Sequence, residues 1–208
     1  HPERALVSRS FFKTGKGQYG EGDRFFGVTV PDMRKVAKTY QTLSLEELDT
    51  LLQSAWHEER LVALLILVAQ FEAAKKSSDQ KRLVDFYLAH TSRINNWDLV
   101  DVSAYKIIGE WLVDKPRPVL KKLAKSPLLW DRRIAMVSTF AFIRRGQSTD
   151  ALEIAQILLR DPEELLHKAV GWMLREVGKR CDEEILKEFL RDHLTELPRV
   201  TLRYAIEK

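Results

Sequence analysis

Residues 44–73 read SLEELDTLLQSAWHEERLVALLILVAQFEA. Ser44 followed by Glu47 is a capping box, in which each side chain satisfies a free backbone N–H at a helix start, and the apolar spacing that follows has a helical period. The pattern restarts at Trp56, continues through Arg60 and enters the purely apolar run Leu61 to Ala69. Two helices joined by a short turn are expected. The apolar run is nine residues long, about half of the roughly 18 needed to span a bilayer, so no membrane segment is expected.

The same signals recur along the chain. Helix starts are expected at Pro31, at Asp79 before QKRLVDFYLAH, at Pro118 before VLKKLA, and at Thr149 and Asp150 before ALEIAQILL. Further starts are expected at Pro162 before EELLHKAVGWMLREV, at Asp182 before EEILKEFL, and at Pro198 before RVTLRYAIE. First members of successive pairs begin near residues 44, 79, 117, 149 and 182, offsets of 35, 38, 32 and 33, close to the spacing of stacked helical-hairpin repeats. Second members share a loose theme, an aromatic at the turn followed by a charge inside an apolar helix: Trp56 with Arg60, Trp97 with Asp101, Trp130 with Arg133. The reading is an all-α fold, a right-handed superhelical stack of antiparallel helix pairs, in which neighbours share one core and one set of helices lines a concave basic groove. Strand-like alternation is confined to Arg24 to Val30, too short and isolated to found a sheet.

Composition agrees. The 208 residues suit a single domain over 1–208, and 45% hydrophobic content argues against disorder. Nine Gly and seven Pro fall below the roughly 12% of average usage, which disfavours a turn-rich β-sandwich. Basic residues number 34 against 30 acidic, a formal charge of +4. One cysteine, Cys181, excludes an intramolecular disulfide framework and fits a reducing compartment, so the cytoplasm is expected. The chain opens on His1 with no apolar signal-like region behind it, which reads as a trimmed or incomplete N-terminus.

Three residues break the apolar pattern. Asp101 falls inside the arc formed by Trp97, Val100, Ala104, Ile107, Ile108 and Trp111 on an expected helix over 96–115. A carboxylate there needs a partner or an opening to solvent, so it is either a buried structural Asp or a functional group. Arg133 lies at the edge of its stripe, beside Val137 and Phe140, and either pairs internally or grips a phosphate. Trp172 sits off the stripe of Leu166, Ala169, Val170, Met173 and Val177, between Lys168 and Arg175, as a surface aromatic or one packed on the next repeat. Basic clusters such as Arg34 to Lys38 and Lys121 to Lys125 are mostly solvated faces. A groove holding tryptophans and arginines nonetheless suits a sugar-phosphate ligand.

Other motifs fail on context. Gly15, Gly17 and Gly20 match G-x-G-x-x-G but open no helix, so the dinucleotide-binding mechanics are absent. His57, His90, His167 and His193 lie on separate helices without close ligand spacing, and no metal or organic cofactor is expected. Cys181 lies at a helix end with no evident base and reads as structural.

Four stretches, FFKTGKGQYGEGDRFFGVTVPDMRKVAK from Phe11, NNWDLVDVSAYKIIGEWL, LLWDRRIA and HKAVGWMLREVGKR, resemble the HEAT-like-repeat alkylpurine DNA glycosylases of the AlkD type. The most specific pieces are the W-D-x-V-D block at Trp97 to Asp101, the W-x-x-R block at Trp130 to Arg133, and the G-W-x-L-R-E block at Gly171 to Glu176. The resemblance implies that Asp101 is the catalytic carboxylate, with Trp97, Arg133 and Trp172 completing a cleft that holds DNA. It also implies a monofunctional glycosylase, without a base-flipping pocket, that removes cationic N3- or N7-alkylated purines from double-stranded DNA, acting as a monomer. Some relatives on this scaffold lack the activity and only bind DNA or its branched forms. A non-catalytic repeat protein, holding DNA or a protein partner in its groove, is therefore the competing expectation.

Overall fold

Ser44 Oγ accepts from the Glu47 N–H at 3.2 Å and Glu47 Oε2 accepts from the Ser44 N–H at 2.7 Å. The capping box read from the sequence is thus formed. It opens α3 (Leu45–Leu52), and the turn after it leads into α4 (His57–Ala73), the longest helix of its region. The computed structural model describes residues 1–207, and among these every regular element is a helix. An isolated bridge between Arg24 and Trp56 is the only β pairing among the described residues.

The chain divides into two compact units, His1–Ser103 and Ala104–Lys208. In the first, α1 (Pro2–Phe11) is followed by a loop over 12–29, and then by α2 (Val30–Thr39), α3, α4, α5 (Ser77–Ala89), a 3-10 turn (Thr91–Arg93) and α6 (Trp97–Ala104). Helices α2, α3 and α5 all pack on α4. That central position explains the long apolar run, since Leu61, Leu64, Ile66 and Leu67 of α4 are buried, as are Leu48 and Leu52 of α3 and Tyr87 of α5. The loop over 12–29 is anchored by Glu58, whose carboxylate accepts the N–H groups of Phe26 (3.1 Å), Gly27 (2.8 Å) and Val28 (3.3 Å). Gly27 has φ +78°, and a Cβ there would stand 2.5 Å from the His1 carbonyl oxygen.

The second unit opens on a π-helical turn (Tyr105–Gly109) and continues through α7 (Pro118–Ala124), α8 (Leu129–Ser138), α9 (Phe140–Ile143), α10 (Thr149–Leu158), α11 (Glu164–Arg180), α12 (Glu183–Asp192) and α13 (Arg199–Ile206). Helix α7 packs on α8 and α10 on α11, as hairpins should, while α12 and α13 both pack on α11. Ile134, Met136, Val137, Phe142, Leu166, Met173, Leu174 and Val177 form the core of this unit.

The expected starts differ from the observed ones by three residues at most. Lys76 precedes α5, so Asp79 lies in its first turn, where an acidic side chain favours the helix dipole. Helix α11 begins at Glu164 and not at Pro162. One difference is larger. The single helix expected over 96–115 is interrupted by the π turn, whose wider i to i+5 spacing shifts the apolar register. Gly109 ends that turn close against the second helix of its neighbour, where a Cβ would overlap the Ser138 carbonyl oxygen. Among the described residues no helix is long and apolar enough to cross a membrane.

Candidate active site

Trp97 and Asp101 sit one turn apart at the start of α6. Asn96, fully buried, accepts the Trp97 N–H on Oδ1 at 2.9 Å, and its carbonyl takes the first helical bond from Val100 at 3.2 Å. This is how a W-D-x-V-D stretch becomes a helix start. Both Trp97 and Asp101 are half-buried, while Leu99, Val100 and Ala104 are buried. Asp101 thus keeps part of its surface exposed on a helix that also buries Ser103 and turns Asp98 to His57.

Beneath Trp97 lies an aromatic and ionic cluster. The indole stacks on Phe12 (centroids 5.4 Å apart, planes at 28°) and meets the edge of Phe11 at 5.7 Å. Phe12 in turn stacks on Phe25 at 5.2 Å, and both rings flank the His57 imidazole, at 4.8 and 4.7 Å. His57 Nε2 lies 2.7 Å from Asp98 Oδ2, and Nδ1 lies 3.1 Å from Asp23 Oδ2. Arg60 pairs with Asp23 at 2.7 Å, and Asn95 donates to the same carboxylate at 3.3 Å. Burial works against a charged His57, but the hydrogen bonds and negative charges of Asp23 and Asp98 outweigh it and raise its pKa to about 9. Burial also opposes ionisation of Asp23, yet His57, Arg60 and Asn95 together hold its pKa below the usual carboxylate value.

In the second unit, Arg133 is buried, 5% exposed, and its Nη1 donates to the Leu165 carbonyl at 2.7 Å. Of the two expectations the internal one is seen, with Arg133 buried rather than at the edge of its stripe and tying α8 to the start of α11. Its neighbour Arg132 pairs with Asp161 at 2.6 Å. Trp172, on α11, is half-buried with Phe140 at 6.1 Å, and Phe140 also meets Tyr105 at 5.4 Å and Arg180 at 5.3 Å. The cations expected to flank Trp172 are engaged, Lys168 with Glu164 at 2.6 Å and Arg175 with Glu207 at 3.2 Å. Gly171 brings α13 against this part of α11, since a Cβ there would meet both the Thr201 carbonyl oxygen and Tyr204 Cβ at 2.5 Å.

Sequence reasoning passed over Asp98, Asp23 and His57. A signal was present: Trp56, Trp97 and Trp130 occupy matching places in the repeats, and the next residue in each, His57, Asp98 and Asp131, begins or lies in the first turn of a second helix. Among the described residues no three His, Cys, Asp or Glu side chains come together as a metal-ligand set. Cys181 donates to the Ile143 carbonyl at 3.6 Å, and burial pushes its thiol pKa up, which suits an unreactive structural role.

These features define an all-helical protein of paired helices with a partly exposed acidic residue one turn from an indole. The family model for DNA alkylation repair enzymes matches residues 1–208, and the chain belongs to that family. Three solved structures share its fold. A predicted DNA alkylation repair enzyme from Enterococcus faecalis aligns over 100% of this chain and 95% of its own, with 18% identity and a TM-score of 0.72. AlkD2 from Streptococcus mutans aligns over 99% and 97%, with 18% identity and a TM-score of 0.64. The protein smu.31 from Streptococcus mutans UA159 aligns over 99% and 97%, with 19% identity and a TM-score of 0.61. No curated protein matches the chain.

Proposed function

We propose that this repair-family protein is a monofunctional DNA glycosylase that hydrolyses the N-glycosidic bond of cationic N3- or N7-alkylated purines. The observation that carries the reading is Asp101: a partly exposed acidic residue one turn from Trp97, on a helix whose Leu99, Val100 and Ala104 are buried. Alkylation puts a positive charge on the base and makes it a good leaving group, so no strong general acid is needed. The group in need of stabilisation is the oxocarbenium-like deoxyribose, and a fixed carboxylate in a partly desolvated site provides that.

In this reading Asp101 stabilises the sugar cation and orients the attacking water. Trp97 meets the sugar on a C–H face and offers π-electron density toward positive charge, and Trp172 is assigned the same kind of contact by the resemblance alone. Arg133 is assigned the backbone phosphate. Selectivity then rests on the charge and lability of the lesion, with no pocket that receives a flipped base. The substrate is double-stranded DNA, the protein acts as a monomer in the cytoplasm, and the chemistry calls for no cofactor.

The test is base release from alkylated duplex DNA. The parent protein is expected to release modified purines, and Asp101→Asn to abolish release while retaining DNA affinity. A parent that binds duplex DNA and releases nothing overturns the proposal in favour of a non-catalytic DNA-binding protein.

A further inference from the structure

His57 lies at the first position of α4, where the helix dipole disfavours a cation, and it is buried, which disfavours one further. Yet both of its ring nitrogens face carboxylate oxygens, Asp23 at 3.1 Å and Asp98 at 2.7 Å. A neutral imidazole has one N–H and would set a lone pair against one of those carboxylates. Only the imidazolium satisfies both. An ionic arrangement of this kind contributes little to stability compared with apolar residues of similar volume, so its geometry is the more informative property.

That geometry leads to α6. Asp98 follows Trp97 in the chain, and the His57 bond is the one hydrogen bond that its side chain makes among the described residues, its other oxygen being buried and unpartnered. A second link runs through the rings, since Phe12 stacks on Trp97 and meets the His57 ring at a tilt. Asp23, the other anchor, is held by Arg60 and Asn95. The first turn of α6 is therefore tied to α4 and to the loop over 12–29 at one point.

We infer that His57 is a positioning residue, a doubly bonded imidazolium that holds Asp98 and thereby sets Trp97 and Asp101 at the angle the reaction requires. The inference rests on the glycosylase reading above and deepens it by giving the site a dependence on pH. Asp23 and Asp98 face the ring directly, and Arg60 reaches it through Asp23. On the same helix Glu58 is turned to the loop backbone. Glu3 and Arg4 of α1 share with His57 and Asp98 the lining of a cavity of about 480 Å³, and Arg93 acts on Arg60.

The experiment has two arms. Single-turnover base release is measured from pH 6 to pH 10 for the parent, His57→Gln and Asp98→Asn, alongside duplex affinity. The parent rate is expected to fall as His57 loses its proton. His57→Gln, which can still donate to Asp98 but carries no charge, is expected to be about 10- to 100-fold slower with affinity unchanged and that alkaline limb gone, as misplacement of reacting groups predicts. An unchanged rate and pH profile in His57→Gln, with the parent active, overturns the inference and leaves the glycosylase reading standing. The second arm, an NMR titration of the parent protein, needs neither activity nor a folded variant. The Trp97 indole and Asp101 backbone signals are expected to move together with the His57 ring signals. A parent that releases no base but titrates in this way overturns the glycosylase reading and keeps the positional link. A His57 ring already neutral at pH 7, or Trp97 signals that ignore it, overturns the link.

Discussion

The ring of Phe12 lies between Trp97 and His57, 5.4 Å from one centroid and 4.8 Å from the other. A residue in the loop after α1 therefore supports the indole of the proposed site from beneath, across more than eighty positions of sequence. Phe12→Ala is expected to destabilise the protein by about 1–3 kcal/mol, less than a fully buried Phe because Phe12 is half-buried. Denaturant titration measures the loss, and Phe12→Leu is expected to recover part of it.

Stability should fall on the alkaline side of neutrality. The folded-state pKa of His57 is raised from 6.5 to about 9, so its contribution is fully present below about 6.5 and is lost as pH rises through about 9. Asp23 behaves oppositely. Its folded value is lowered from 3.8, so its contribution is present above that value and is lost as pH falls below it. Chemical denaturation across pH should show a decline of at most about 1.4 kcal/mol per pH unit for one proton between 6.5 and 9, and His57→Gln should flatten that limb.

Glu58→Gln tests the anchor of the loop over 12–29. Its carboxylate takes three backbone N–H groups, and an amide would turn a donor toward at least one of them. A loss of about 2–3 kcal/mol is expected from thermal or denaturant unfolding. Faster proteolysis within the loop should accompany it.

Gly171→Ala is expected to cost about 1–3 kcal/mol, because the new methyl would overlap the backbone of α13 at Thr201 and Tyr204 Cβ. Amide exchange should report the loosening in α13 and in the last turns of α11. Gly178→Ala is the milder comparison, since its methyl would meet only the Leu186 side chain.

If the chain holds DNA by its phosphates, affinity should fall steeply with salt, by about 0.9 logarithmic units per decade of salt for each phosphate contact. Titrations of labelled duplex from low to physiological salt measure the slope. A flat response would point to a partner other than DNA.

Much of the architecture was legible in residue order because it rests on local chemistry. Ser44 with Glu47 and Asp182 satisfy N–H groups within one turn, Pro118 pre-sets φ for its first helical residue, and the observed helices begin at or next to them. The spacing of the tryptophans marked the second helices for the same reason. Residue types also singled out Asp101, as a charge among apolar neighbours on one helix.

What lay outside that reach depends on partners far apart in the chain. Arg133 looked like an edge residue and is buried, because the Leu165 carbonyl at the start of α11 accepts its proton. His57, Asp23 and Asp98 were three unrelated residues until folding brought them within 2.7–3.1 Å of one another's reach through the imidazole ring. Periodicity encodes which face of a helix turns inward. It carries nothing about which distant side chain waits there, and the protonation of His57 follows from that meeting, since two carboxylates in a buried place outweigh the cost of removing the imidazolium from water.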